Sequence, residues 1–199
     1  MHRHRLIALL ERYAHGPQQN AAVAARFLDF VGAHDDCLLR QCVPGHITAS
    51  AWIWSPDHRT CLLTHHRKLD RWLQLGGHVD GEGSVQLAAL REAQEESGME
   101  RFQLLSPGGR LAALDLDVHT IPAHKGEPEH LHWDVRFLLR AEPLQELVLS
   151  AESKALRWLP RQELLTCVSE ESVVRLERHA AEWEQRRGAD ALAACPLPQ

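Results

Sequence analysis

The stretch GGHVDGEGSVQLAALREAQEESGM, residues Gly76 to Met99, constrains the fold more than any other part of the chain. The double glycine lets the backbone approach other groups closely. Ser84 suits a helix N-cap and Gly98 a helix stop, which brackets a helix from Val85 to about Ser97. At roughly 3.6 residues per turn, Glu92, Glu95 and Glu96 share an arc of about 100°. Leu87, Leu90 and Ala93 fall on the other side and are expected to pack on a sheet. Like charges at helical spacing repel. Either water screens them on a solvated face, or a cation sits among them. The glutamates alone favour the solvated face. The double glycine, which can offer a backbone carbonyl at Gly76, tips the balance toward a cation. So does Arg91, which can orient a neighbouring carboxylate. Hard divalent ions such as Mg²⁺ take oxygen ligands and share them with substrate phosphates.

Patterning elsewhere predicts an α/β chain. Residues 3–14 and 18–33 read as two helices, broken at Gly16-Pro17. His46–Trp54 alternates and is rich in β-formers, SPDHR turns, and Thr60–His66 returns, which gives a hairpin. Arg71–Leu75 is a short extended piece that ends at the glycine pair. RLAALDLDVHT and HLHWDVRFLLRA read as strands joined by a polar loop with Pro122, Gly126 and Pro128. ALRWL is a last short strand. Pro160 opens a short helix, and Ser169 caps a final amphipathic one to about Arg187. CPLPQ reads as a frayed tail. Without regular βαβ alternation, this order argues a mixed sheet flanked by helices. The chain divides into an N-terminal helical extension (1–44), one domain (45–187) and a tail (188–199).

A formal net charge of −5 with no basic block excludes a large nucleic-acid footprint. The apolar runs are too short for a membrane span. Five scattered cysteines, an odd number without a paired CxxC, favour reduced thiols and a cytoplasmic location.

Gly77, followed at the family spacing by REAQEESGM (Arg91–Met99), resembles the signature of the Nudix hydrolases. The similarity covers about residues 45–165. It implies the Nudix-type α-β-α sandwich and attack of water at phosphorus on a nucleoside- or other diphosphate-linked small molecule. Mg²⁺ or Mn²⁺ is the implied cofactor. By position, the Gly76 carbonyl, Glu92, Glu95 and Glu96 would hold the metal, and Glu152, ahead of the last strand, would join them. Glu92 and Glu95 are the implied catalytic residues. One position departs: the family has Glu where this chain has Gly83, with Glu82 one residue early. Glu82 or Asp80 is then left to reach the same space across the glycines. The departure keeps a second class open, a Nudix-like module that binds a nucleotide without cleaving it. A third, an isoprenoid-diphosphate isomerase on the same fold, would need Cys42 or Cys61 near the chemistry.

Substrate contacts are expected from residues beside the glycines. His130, His132 and Asp134 alternate, so they share one strand face, read as the wall of a wet cleft. A zinc site, substrate hydrogen bonding and a plain exposed face are all compatible with that pattern. His46, Thr48, Ser50 and Trp52 form a similar row. Lys68 and Arg71 supply cations for phosphate, while Gln74, His78 and Asp80 lie next to Gly76-Gly77. The last helix serves either as core cover or as a homodimer contact.

Overall fold

The computed structural model describes residues 3–15, 21–123 and 126–197. The Gly16-Pro17 break and the final two residues lie outside the described residues. Strand β1 (Gly45–Trp54) is buried along its whole length, as a strand covered on both faces must be. It runs parallel to β7 (His130–Ala141) over ten positions, from Gly45 opposite Leu131 to Trp54 opposite Arg140. The far end of β1 pairs with β2 (Thr60–His66), the expected hairpin. Its near end pairs with β4 (Leu75–His78), so the ladder continues through the double glycine instead of ending there. Between them lies β3 (Arg71–Leu73), paired with β2. On the other flank β7 carries β5 (Phe102–Pro107) and β6 (Asp115–Ile121). β8 (Ser153–Pro160) closes on β2, and β9 (Leu192–Ala194) on β5. Among the described residues, nine strands form one mixed sheet.

Alternation along β1 sorts the molecule into two layers of core. Ile47, Ala49, Ala51 and Ile53 face α1 (Arg3–Ala14), α2 (Ala21–Ala33) and α3 (Val85–Ser97). Trp52 and Trp54 face α5 (Glu171–Glu184), which follows the single turn of α4 (Leu164–Cys167) and buries Val173, Leu176, Ala180 and Trp183 against them. Helix α5 is therefore core cover. Its N-cap position is Glu170, and Ser169 makes no cap bond.

Residues 3–14 and 21–33 are helical and bury Leu6, Leu9, Leu10, Phe27 and Phe30 in the same apolar cluster as the sheet. Phe30 stacks on Trp133 with ring centroids 4.4 Å apart, and Phe27 meets it edge-on at 5.1 Å. Residues 192–195 of the expected tail are likewise held by contacts: β9 pairs with β5, and the Cys195 N–H donates to the Leu104 carbonyl at 2.8 Å.

On α3 the buried face differs from the expected one. Ala93 is buried as expected, but its buried companions are Val85, Ala88 and Ala89, while Leu87 and Leu90 are only half-buried. Small residues allow the helix to sit close over β4, and the close approach is what brings its glutamates to the strand.

Candidate active site

Ser84 holds the cap position of α3, but its side chain makes no cap bond; its hydroxyl accepts from Arg5 Nη1 at 2.9 Å. At the other end Gly98 adopts a left-handed φ of 73° and donates to the Gln94 carbonyl, as a C-terminal glycine stop does. The last turns of α3 thereby stay over β4. The Gly76 N–H donates to Glu96 Oε2 at 2.9 Å. Gly77 leaves the space that Glu92 fills: a Cβ there would stand 2.5 Å from Glu92 Oε2. Arg91 ties the group together. It approaches Glu92 Oε1 at 2.8 Å and Glu95 Oε2 at 3.3 Å, and donates to the His78 carbonyl at 2.7 Å.

Burial separates the three acids. Glu96 is 6% exposed, and burial pushes its carboxyl up to about 8, against the opposing Gly76 N–H bond. Glu92 is also raised, first by burial, with Arg91 pulling it back and Glu95 adding to the rise. Glu95 is exposed. Glu152 is exposed as well, and its negative charge adds to the rise of both Glu92 and Glu96. A cluster in which burial and mutual repulsion disfavour the charged forms is one that a cation would relieve.

Other expected residues are placed differently. Asp80 pairs with Arg40 (Nε 2.8 Å, Nη2 2.5 Å), and Glu82 Oε1 accepts the Ser84 N–H at 2.9 Å. Each carboxylate thus has a partner of its own, Arg40 for Asp80 and the Ser84 N–H for Glu82. Asp134 does not line a wet cleft. It is 2% exposed and accepts from Ser50 Oγ at 2.8 Å, Thr48 Oγ1 at 3.1 Å and Arg136 Nε at 2.8 Å, with Gln74 Nε2 at 3.5 Å. Lys68 and Arg71 are exposed; Arg71 faces Glu170 at 3.7 Å, and neither forms an ion pair with the α3 acids among the described residues. Cys42 and Cys61 are buried in different core layers, and burial pushes each thiol up to about 12. They do not come together at the acids.

Sequence reasoning missed the charge network under this face. Arg136, wholly buried, meets Asp134 at 2.8 Å, Asp117 at 3.1 Å and Asp115 at 3.3 Å. Arg175 from α5 meets Asp115 at 2.8 Å and Asp117 at 2.7 Å. The available signal was the alternation of Asp115 with Asp117 and of Asp134 with Arg136 on two strands.

A family pattern described as the NUDIX domain matches residues 44–182. The chain belongs to the Nudix family. A NUDIX-family hydrolase from Clostridium perfringens is 25% identical, covers 69% of this chain and 97% of its own, and superposes with a TM-score of 0.51. The E. coli dihydroneopterin triphosphate pyrophosphohydrolase is 18% identical over 68% of this chain and 95% of its own, with a TM-score of 0.52. The MutT protein from Methanosarcina mazei Go1 is 17% identical over 70% of this chain and 95% of its own, with a TM-score of 0.50. These likenesses establish the Nudix fold, a mixed sheet between helical layers. No curated protein matches the sequence. Helices α1 and α2 precede the range of the Nudix match. No helix among the described residues is long and apolar enough to cross a membrane.

Proposed function

We propose that this Nudix chain hydrolyses a phosphoanhydride in a diphosphate-linked small molecule, with Mg²⁺ or Mn²⁺ held by the Gly76 carbonyl, Glu92, Glu95, Glu96 and Glu152. The observation that carries the reading is the cradle at Gly77, a space left for the Glu92 carboxylate beside the buried Glu96. An all-oxygen donor set with repelling charges fits a hard dication. When bound, the cation neutralises the diphosphate and acidifies water.

The chain's own groups then have distinct tasks. Arg91 fixes Glu92 and Glu95 relative to β4. Glu92, or the more exposed Glu95, accepts the proton of the attacking water as its oxygen bonds to phosphorus. The bridging oxygen leaves with the second phosphate. Lys68 and Arg71, exposed near the start of β3, meet the phosphates. Gln74 and His78 flank the double glycine and, with His46, His130 and His132, make up the substrate side. Asp80 and Asp134 act indirectly, by fixing Arg40 and Arg136.

The test is a phosphate-release screen over nucleoside di- and triphosphates and nucleotide sugars with Mg²⁺ and Mn²⁺, run beside Glu95→Gln and Glu96→Gln. Turnover by the wild type that both substitutions abolish, with unchanged circular dichroism, supports the hydrolase. Nucleotide binding with no turnover on any compound overturns it in favour of a binding module. That second reading draws on Gly83 and on the capture of Asp80 and Glu82 by local partners, which leave the carboxylate set one short. Gly83→Glu separates the two: gain of turnover in a silent wild type supports the module.

A further inference from the structure

Strand register gathers five histidines on the sheet face that α5 covers, at the end remote from that helix. His46 stands opposite His132 in the β1–β7 ladder, His119 stands opposite His132 from β6, and His78 is one step along on β4. The His46 ring lies 4.9 Å from that of His78, 5.1 Å from His130 and 4.8 Å from His132, centroid to centroid. His119 joins through His132 at 5.5 Å.

His46 is 2% exposed, and neither of its ring nitrogens has a hydrogen-bond partner among the described residues; the same holds for Nε2 of His132. A buried polar atom without a partner is destabilising, so two neighbouring rings left in that condition mark a place where a ligand supplies the missing bonds. Burial lowers His46 to about 4, which keeps the ring neutral and its lone pair free at neutral pH. Around the pair, tautomers are already fixed. His130 Nδ1 donates to the Pro128 carbonyl at 2.9 Å, and His119 Nδ1 faces Asp117 Oδ2 at 3.0 Å. Both arrangements leave Nε2 as the electron-pair donor, in the carbonyl- and carboxylate-oriented manner of histidine ligands to metals.

We propose that His46, His130 and His132 form a transition-metal site, separate from the oxygen site on α3. One nitrogen from each can be chosen so that all three lie within 4.8 Å of one another. An all-imidazole set selects Zn²⁺, Co²⁺, Ni²⁺ or Cu²⁺ over Mg²⁺. Three histidines leave a fourth position for water or an exogenous ligand. His46 is four residues along β1 from Ser50, the partner of Gly76, and at ~3.3 Å per residue that is about 13 Å of strand. The ion is thus no companion of one held by the glutamates, and the proposal stands whether or not the chain hydrolyses diphosphates.

The experiment uses the full chain, stripped with chelator and titrated with Co²⁺, whose visible absorption is strong in four- or five-coordinate nitrogen sites and weak in octahedral oxygen sites. Zn²⁺ is then added as competitor, with melting temperature as a second readout. The expected result is a single equivalent of Co²⁺ with the strong band, displaced by Zn²⁺, unaffected by excess Mg²⁺ and retained in Glu95→Gln and Glu96→Gln. His130→Ala, at a half-buried position chosen to preserve folding, abolishes the band and weakens Zn²⁺ binding at least about tenfold. His46→Gln does the same and loses the Zn²⁺-dependent rise in melting temperature. Absence of the band overturns the proposal. So does a band that survives His130→Ala together with His132→Ala, or one that Mg²⁺ or Glu95→Gln removes.

Discussion

Replacing Glu96 by Gln should stabilise the metal-free protein in alkaline solution while removing its response to divalent cation. Glu96 is 6% exposed, accepts the Gly76 N–H, and is pushed by burial from the ordinary 4.5 to about 8. The folded state therefore binds a proton between about 4.5 and about 8 that the unfolded state has released. This contribution to stability is complete below pH 4.5 and is lost as pH rises through about 8. At about 1.36 kcal/mol per pH unit the loss is bounded by roughly 5 kcal/mol, and water entry on relaxation leaves roughly 2–3 kcal/mol. Glutamine keeps the shape and gives up the charge. For a chain of this length each kcal/mol moves the melting temperature by about 2–4 °C, so Glu96→Gln should melt several degrees above wild type at pH 9 in chelator. The two should coincide at pH 5. With excess Mn²⁺, wild type should recover stability according to its affinity, about 2.7 kcal/mol at a hundredfold excess over Kd, and the variant should recover less. Scanning calorimetry across pH 5–9 with and without Mn²⁺ reads all three quantities. A variant less stable than wild type at pH 9, or a difference independent of pH, would refute the assignment of Glu96 as a buried, cation-seeking carboxylate.

Three further outcomes are expected. Gly77→Ala puts a Cβ 2.5 Å from Glu92 Oε2, the far end of a flexible side chain. Stability should change by less than about 1 kcal/mol in urea melts while turnover falls by roughly a hundredfold through misplacement of the acid. Arg136→Met leaves Asp134, Asp117 and Asp115 without their shared cation; a loss of about 3–5 kcal/mol is expected in chemical denaturation, partly recovered when Asp134→Asn is added. Trp133→Ala removes the ring that Phe30 and Phe27 pack against. It should cost about 3–5 kcal/mol and raise amide exchange in α1 and α2, and unchanged exchange there would show that those helices do not depend on the sheet.

Local signals in the chain were sufficient for some elements. The span of α3 followed from the Gly98 stop and the helical period before it, because both act within one or two turns; Ser84 marked the first position correctly although its side chain makes no cap bond. The β1–β2 hairpin followed from alternation around a turn. The convergence of Glu92, Glu95 and Glu96 needed only helical geometry. By contrast, β5 is a short apolar run and β9 has three residues, and both exist because a neighbouring strand supplies their hydrogen bonds. Nothing in their own residues distinguishes them from loop. On α3 the sequence marks Leu87 and Leu90 as core beside Ala93, yet the sheet accepts Ala88 and Ala89 with Ala93, since close packing rewards fit over bulk.

The fate of the polar residues was decided only by tertiary structure. Asp134 and His132 share a strand face, and alternation predicts that much. Whether each meets water, an arginine or another imidazole depends on which strands become neighbours, and β1 and β7 are joined across more than 80 residues of chain. Asp134 falls beside Arg136, Ser50 and Thr48 and accepts from all three, while His132 falls beside His46 and has a nitrogen without a partner among the described residues. Periodicity is a property of a segment; the partner of a buried charge or ring nitrogen is a property of the packed sheet.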